Sequence, residues 1–145
     1  MAITTAMCTS FKSELLGGTH DLDTDSIKLA LIEASPTGTY GAATTNYSDV
    51  TGNSDEATGT GYTAGGQVLD NVTITVDGTT AIVYIDDEVF TSSTISADGC
   101  IIYNAGASNA AIAVIDFGGT QTSTNGDYTI QFPAADASNA IIRIA

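Results

Sequence analysis

The stretch VTITVDGTTAIVYID, residues 72–86, decides how this chain folds. Two short runs rich in β-branched and aromatic residues flank Asp77-Gly78, and apolar and polar positions alternate within the first of them. Alternation with a period of two sends successive side chains to opposite faces of a strand, and an Asp-Gly pair tolerates the positive φ angles of a tight hairpin turn. Val72, Ile74 and Val76 are thus predicted to share one face of the outgoing strand, which spans residues 67–76. In the returning strand, residues 80–86, Ile82, Tyr84 and Asp86 oppose Ala81, Val83 and Ile85.

Working outward, the same punctuation recurs. Asp98-Gly99 leads into a strand at 100–103, which is expected to pair with a strand at 111–117 across a connecting loop at 104–109. Asn125-Gly126 precedes a strand at 127–132, where Tyr128, Ile130 and Phe132 share a face and Pro133 ends the pairing. The chain closes on an apolar strand at 140–145. Ile141, Ile142 and Ile144 have only Arg143 as a charged guard there, so this strand is expected in the interior or paired across a subunit boundary. Upstream, residues 26–34 alternate as a half-buried to buried strand.

Ahead of that strand, Ala6, Met7, Phe11 and Leu15 fall at helical spacing within residues 4–16. Thr4 or Thr5 can cap this helix, and Gly17 and Gly18 stop it. Residues 35–66 read differently, as a long Gly-rich loop with Tyr40, Tyr47, Val50 and Tyr62 as scattered anchors. A connection of that length is uncommon unless it binds something or a partner orders it. The expected fold is all-β: one domain over residues 1–145, an antiparallel β-sandwich or jelly-roll-like arrangement of about seven strands. A short N-terminal helical segment occupies 1–18.

Composition agrees with a single β-rich unit. The chain has 145 residues, 43% of them apolar, and its polar remainder is dominated by residues that suit strands and turns. Seventeen Asp and Glu stand against three Lys and Arg, a formal net charge of −14. Such a surface repels phosphate backbones and anionic headgroups, so neither nucleic acid nor a membrane is expected as partner. No basic leader or membrane-length apolar run is visible, which predicts a protein that stays soluble where it is made.

Motifs with chemistry are sparse. Asp21, Asp23 and Asp25 begin like a calcium loop, but Ser26 stands where the sharp turn wants Gly, and Ile32 where a bidentate Glu is needed. A solvated acidic turn before the strand is the preferred reading over a bound cation, and no metal is assigned. Asp86, Asp87 and Glu88 place neighbouring carboxylates of the kind glycoside hydrolysis uses, yet they also fit a solvent-facing strand end. His20 reads as a polar loop element, with ligand or base as the other possibility. Cys8 and Cys100 have no metal-ligand spacing and read as buried small hydrophobes. Asn46-Tyr47-Ser48 and Asn71-Val72-Thr73 match a glycosylation pattern with no secretory leader to use it. Gly59-Thr60-Gly61 and Gly65-Gly66 lack the Lys of a phosphate cradle, and no cofactor is expected.

Three stretches carry a resemblance: MAITTAMCTSFKSELL at 1–16, TGTGYTAGG at 58–66, and the ending from AVIDFGG at 113–119 through QFPAADASNAIIRIA at 131–145. In these the chain resembles a family of small virion structural proteins of tailed bacteriophages, especially those of marine and cyanobacterial hosts. The resemblance implies a particle component and no catalytic residues. Within a virion, the expected role is a capsid decoration or cement protein on the outer surface of the major capsid protein lattice, self-associated, with a trimer favoured. The residues expected to meet partners are Met7, Phe11 and Leu15 of the helix face and Tyr40, Tyr47 and Tyr62 of the loop. For the helix, a plain core role is the competing reading. A tail or fibre component reading host glycan or protein through loops 35–66 and 104–109 is the alternative, and a polysaccharide-degrading enzyme is the third reading.

Overall fold

The structure is a computed structural model that describes residues 2–145; Met1 lies outside them. In chain order the elements are β1 (Ala2–Ile3), β2 (Ala6–Met7), α1 (Thr9–Leu16), β3 (Ile27–Glu33), β4 (Thr39–Tyr40), α2 (Ser48–Gly52) and β5 (Gln67–Val68). There follow β6 (Thr73–Asp77), β7 (Thr80–Tyr84), β8 (Glu88–Asn104), a 3-10 turn at Ala105–Ala107, β9 (Ala110–Ile130) and β10 (Arg143–Ile144). They form a five-stranded sheet in the order β2-β9-β8-β3-β5, a three-stranded sheet in the order β10-β7-β6, and a parallel pair of β1 with β4. The fold is all-β and sandwich-like, with mostly antiparallel pairing.

The hairpin at 72–86 forms as expected, with Asp77 opposite Thr80 and Ile74 opposite Val83. Gly78, at φ 63°, is the first of two loop residues and carries the positive φ that a type II′ turn demands of glycine. Residues 100–103 and 111–117 also pair as expected, Ile101 against Val114 and Cys100 against Ile115. The segment expected at 26–34 is β3, buried along nearly its whole length because β8 and β5 flank it and the core covers it.

Other turn signals act differently. Asp98-Gly99 and Asn125-Gly126 do not reverse the chain; each lies inside a long strand at a register shift of the β8–β9 ladder. Gly99 pairs with Asp116, and Gly126 pairs with Ser93. These signals sit where the 17-residue β8 and the 21-residue β9 shift register, and of the four residues only Asn125, at φ 47°, takes the left-handed conformation a turn would ask for. Gly99 is there for room: a Cβ at this position would sit 2.4 Å from the Ile115 carbonyl oxygen. β9 absorbs two segments that the sequence presents as separate, 111–117 and 127–132, and β8 extends the one at 100–103 back to Glu88.

The helix begins later than its spacing suggests. Ala6 and Met7 belong to β2, which pairs with Val114 and Ala113 of β9, so Met7 does not share a helical stripe with Phe11 and Leu15. Thr5 does not cap a helix; its hydroxyl accepts the Asp116 N–H at 2.9 Å, and Cys8 occupies the cap position. The outgoing segment at 67–76 is split into β5 and β6, and the closing apolar run at 140–145 contributes only β10. That strand pairs with β7 of its own chain, Arg143 opposite Ile82, and lies at the sheet edge with both residues exposed, not in the interior.

One hydrophobic cluster joins these layers. Phe11 of α1, Leu29 and Leu31 of β3, Ile101 and Ile102 of β8, Ile112 and Val114 of β9, and Ile142 are all buried in it. Replacing Gly99 by Ala tests the bulge assignment. A solvent-exposed turn glycine tolerates Ala at a cost of about 1 kcal/mol, whereas steric conflict with the facing backbone is expected to cost about 2–3 kcal/mol in urea denaturation.

Candidate functional site

Residues 35–66 are not an open loop. Residues 55–57 run antiparallel beside β3: the Glu33 N–H donates to the Asp55 carbonyl at 2.8 Å, and the Ala57 N–H to the Leu31 carbonyl at 2.9 Å. Alternation along this strand-like piece turns the Asp55 and Glu56 side chains in different directions.

Asp55 is fully buried. Its carboxylate accepts the Thr37 N–H at 2.9 Å, the Thr37 hydroxyl at 3.1 Å, the Gly38 N–H at 2.7 Å and the Tyr40 hydroxyl at 2.5 Å. Burial alone would raise its pKa, but these donors outweigh burial and hold the carboxyl below the usual aspartate range. The Tyr40 hydroxyl is pushed up to about 12, by burial first and then by Asp55.

Glu56 gathers a second set. It accepts from the Tyr47 hydroxyl at 2.5 Å, the Tyr62 hydroxyl at 2.7 Å and the Gly65 N–H at 2.6 Å. The Tyr62 oxygen in turn accepts the Leu31 N–H at 3.0 Å, and Tyr103 donates to the Gly65 carbonyl at 2.7 Å. Tyr47 stacks on Tyr103 with ring centroids 4.5 Å apart and planes 7° from parallel. Burial raises the pKa of both Tyr47 and Tyr62, and Glu56 adds to each shift. The tyrosines of the Gly-rich segment therefore tie it to β3 and β8. Tyr40 is buried and offers no surface to a partner; Tyr47 and Tyr62 are half-buried and engaged by Glu56.

The N-terminal residues separate in the same way. Phe11 is buried in the core, with its ring edge against His20 at 4.9 Å between centroids. Met7 and Leu15 are half-buried and line a cleft of about 280 Å³ between α1 and β10, together with Lys12, Leu16, Arg143 and Ile144. Leu16 is 90% exposed and Ile144 is 54% exposed. A neighbouring cleft of about 150 Å³ shares Leu15 and Ile144 and extends to Ile74 of β6. Lys12 and Arg143 are two of the chain's three basic residues, so on a strongly acidic molecule two cations border this apolar cleft. Sequence alone could not reveal that they share a cleft, because Arg143 is positioned by the pairing of β10 with β7.

The remaining motifs are occupied locally. Asp25 accepts from the Asn104 amide at 2.7 Å and the Asp21 N–H at 3.0 Å, and these bonds lower its pKa, the Asn104 one most. His20 sits beside them, Nδ1 at 3.1 Å from the Asn104 amide nitrogen and Nε2 at 3.3 Å from Glu14. The latter approach lacks hydrogen-bond alignment. Asp86 accepts from Asn71 and from the Tyr84 hydroxyl, both at 2.7 Å, while Asp87 accepts the Phe132 N–H at 2.8 Å. Glu88 is buried, and burial, followed by the charge of Asp70, raises its pKa. Cys8 and Cys100 are free and buried; burial, then the Asp49 and Glu14 charges, push the Cys8 thiol up to about 11, and burial raises Cys100 as well. Among the described residues no cluster of three or more His, Cys, Asp or Glu could hold a metal, and no helix is long and apolar enough to cross a membrane.

No protein-family description, curated protein or solved structure matches this chain.

Two titrations follow from the buried carboxylates. Asp55 contributes stability that is complete above the ordinary aspartate value of about 3.9 and is lost as pH falls through its lower folded value. Asp55→Asn is expected to cost about 3 kcal/mol at pH 7 and to flatten the acid limb of a stability–pH curve. Glu88 has the opposite sign: its folded state holds the proton more tightly, so stability falls as pH rises through its unfolded and then folded values. Glu88→Gln is expected to raise the melting temperature at pH 7 and leave it unchanged near pH 3, by calorimetry.

Proposed function

We propose that this chain is a structural protein of a tailed-bacteriophage particle, acting as a capsid decoration protein on the outer surface of the major capsid protein lattice. The observation that carries the reading is the cation-bordered apolar groove of Met7, Leu15, Leu16 and Ile144. It is held on a β-frame whose longest irregular segment is pinned from within. A docking surface of this kind can be weak in each copy and still hold, because a symmetric lattice repeats the contact many times. The sequence resemblance to phage virion proteins supports the same assignment.

The contact residues of this reading are Met7 and Leu15, joined by Leu16, Lys12, Arg143 and Ile144. Phe11 acts from beneath as the floor that positions α1. The surrounding negative charge favours a partner whose facing surface is acidic only around Lys12 and Arg143 and is neutral or basic elsewhere.

Quantitative mass spectrometry of purified heads and tails tests the location. A decoration protein is expected in heads at a copy number that tracks the capsid lattice; a handful of copies, or confinement to tails, overturns the reading. Leu16→Asp tests the groove. Because Leu16 is almost fully exposed, this variant is expected to fold normally and to lose at least about tenfold in affinity for heads stripped of the protein, roughly 1.4 kcal/mol.

A further inference from the structure

Among the described residues the outer edge of β6 is unpaired: it terminates the order β10-β7-β6, and all five of its residues, Thr73–Asp77, are exposed. Ile74 is 48% exposed and Val76 67%. Edge strands are usually blunted by lysine, proline or a bulge, and TITVD has none of these. Its one charge, Asp77, lies at the turn end and accepts the Ala137 N–H at 2.8 Å.

The hairpin fixes which backbone groups this edge presents. Asp77 and Thr80 close a two-residue loop, so they exchange both hydrogen bonds, and by the alternation of an antiparallel ladder so do Thr75 with Ile82 and Thr73 with Tyr84. Ile74 and Val76 therefore point their N–H and C=O groups outward. Cross-strand pairing of Ile74 with Val83, Val76 with Ala81 and Ile144 with Ala81 places these apolar side chains on one face, the face that borders the α1 cleft.

We propose that β6 pairs antiparallel with β6 of a second copy about a two-fold axis through Thr75, joining two three-stranded sheets into one of six strands. This register is self-complementary at every position. Ile74 faces Val76 of the second copy and Val76 faces its Ile74, so each outward N–H and C=O finds a partner and four hydrogen bonds form. The same residues make two apolar pairs on one face. Thr73 faces Asp77, so no carboxylate meets another. A shift by two residues toward the turn sets Ile74 against Gly78, and one the other way sets Val76 against Val72, which lies outside β6 and packs against the core. The symmetry this edge specifies is two-fold, not the three-fold expected from sequence, and the contact is independent of where in a particle the chain resides.

The charge of −14 on each copy opposes this approach, so the dimer is expected to tighten with added salt. Binding of a basic partner to the same edge would weaken instead. Cysteine substitution reads the register directly. Thr75 meets its own symmetry mate as a non-hydrogen-bonded pair with Cα atoms about 4.5 Å apart, within disulfide reach. Thr73 lies about 13 Å from its mate along the strands. Oxidised T75C is expected to run as a covalent dimer on a non-reducing gel while T73C does not; the native thiols are buried and leave this readout clear. Wild type is expected to sediment at twice 14.7 kDa as concentration and salt rise. Ile74→Pro removes an outward N–H that β7 does not use, and is expected to raise the dimer dissociation constant at least about tenfold with an unchanged circular dichroism spectrum. T75C cross-linking no faster than T73C, or wild type remaining at 14.7 kDa across the range, overturns the proposal.

Discussion

Asp55 and Glu56 hold together the part of this molecule that its composition leaves least determined. A glycine-rich run of Thr, Ser and Asn buries too little apolar surface to order itself against the loss of backbone entropy. Two buried or half-buried carboxylates supply what apolar contact cannot. Asp55 collects four donors from residues 37–40, and Glu56 collects Tyr47, Tyr62 and the Gly65 amide. Hydrogen bonds to an ionised acceptor are roughly twice as strong as neutral ones. Each carboxylate is also paid back for its desolvation, because its oxygens are met by several donors at short range.

The pinned segment completes one side of the five-stranded sheet and leaves the other features of the surface exposed in their own right. Tyr62 reaches the Leu31 amide on β3, and Tyr103 on β8 reaches Gly65, so the segment and the sheet share a single network. Among the features left open are the cleft between α1 and β10 and the free edge of β6. These are where an acidic molecule of this size has apolar groups to offer. Groove and edge adjoin through Ile74, so contacts made at one can influence the other.

The hairpin at 72–86, the pairing of 100–103 with 111–117, and β3 were all legible in sequence, because alternation and a short turn act locally. The same local signal misled at Asp98-Gly99 and Asn125-Gly126, since such residues sit at a register shift within a ladder as well as at a turn, and only the partner strand distinguishes the two. Met7 fell at helical spacing from Phe11, yet pairing with β9 placed it in a strand; a long-range ladder overrode a weak local period. For the site, Leu15 and Met7 do reach a partly open cleft, while Phe11 and Tyr40 are interior. Aromatic residues in a polar loop look like anchors for a partner, and here their partners are Asp55 and Glu56. Nothing in the spacing of those acids from the tyrosines marks them as acceptors, because the distances close only after the segment folds back along β3.

Hydrogen exchange of individual backbone amides tests most directly whether this internal carboxylate network, and not an external partner, orders residues 35–66. In the isolated chain at neutral pH, the Thr37, Gly38 and Gly65 amides are predicted to be protected to a degree comparable with Leu31 of β3, and Asp55→Asn is predicted to release the first two. Exchange of all three at the rate of an unstructured peptide in the wild-type chain would contradict the account.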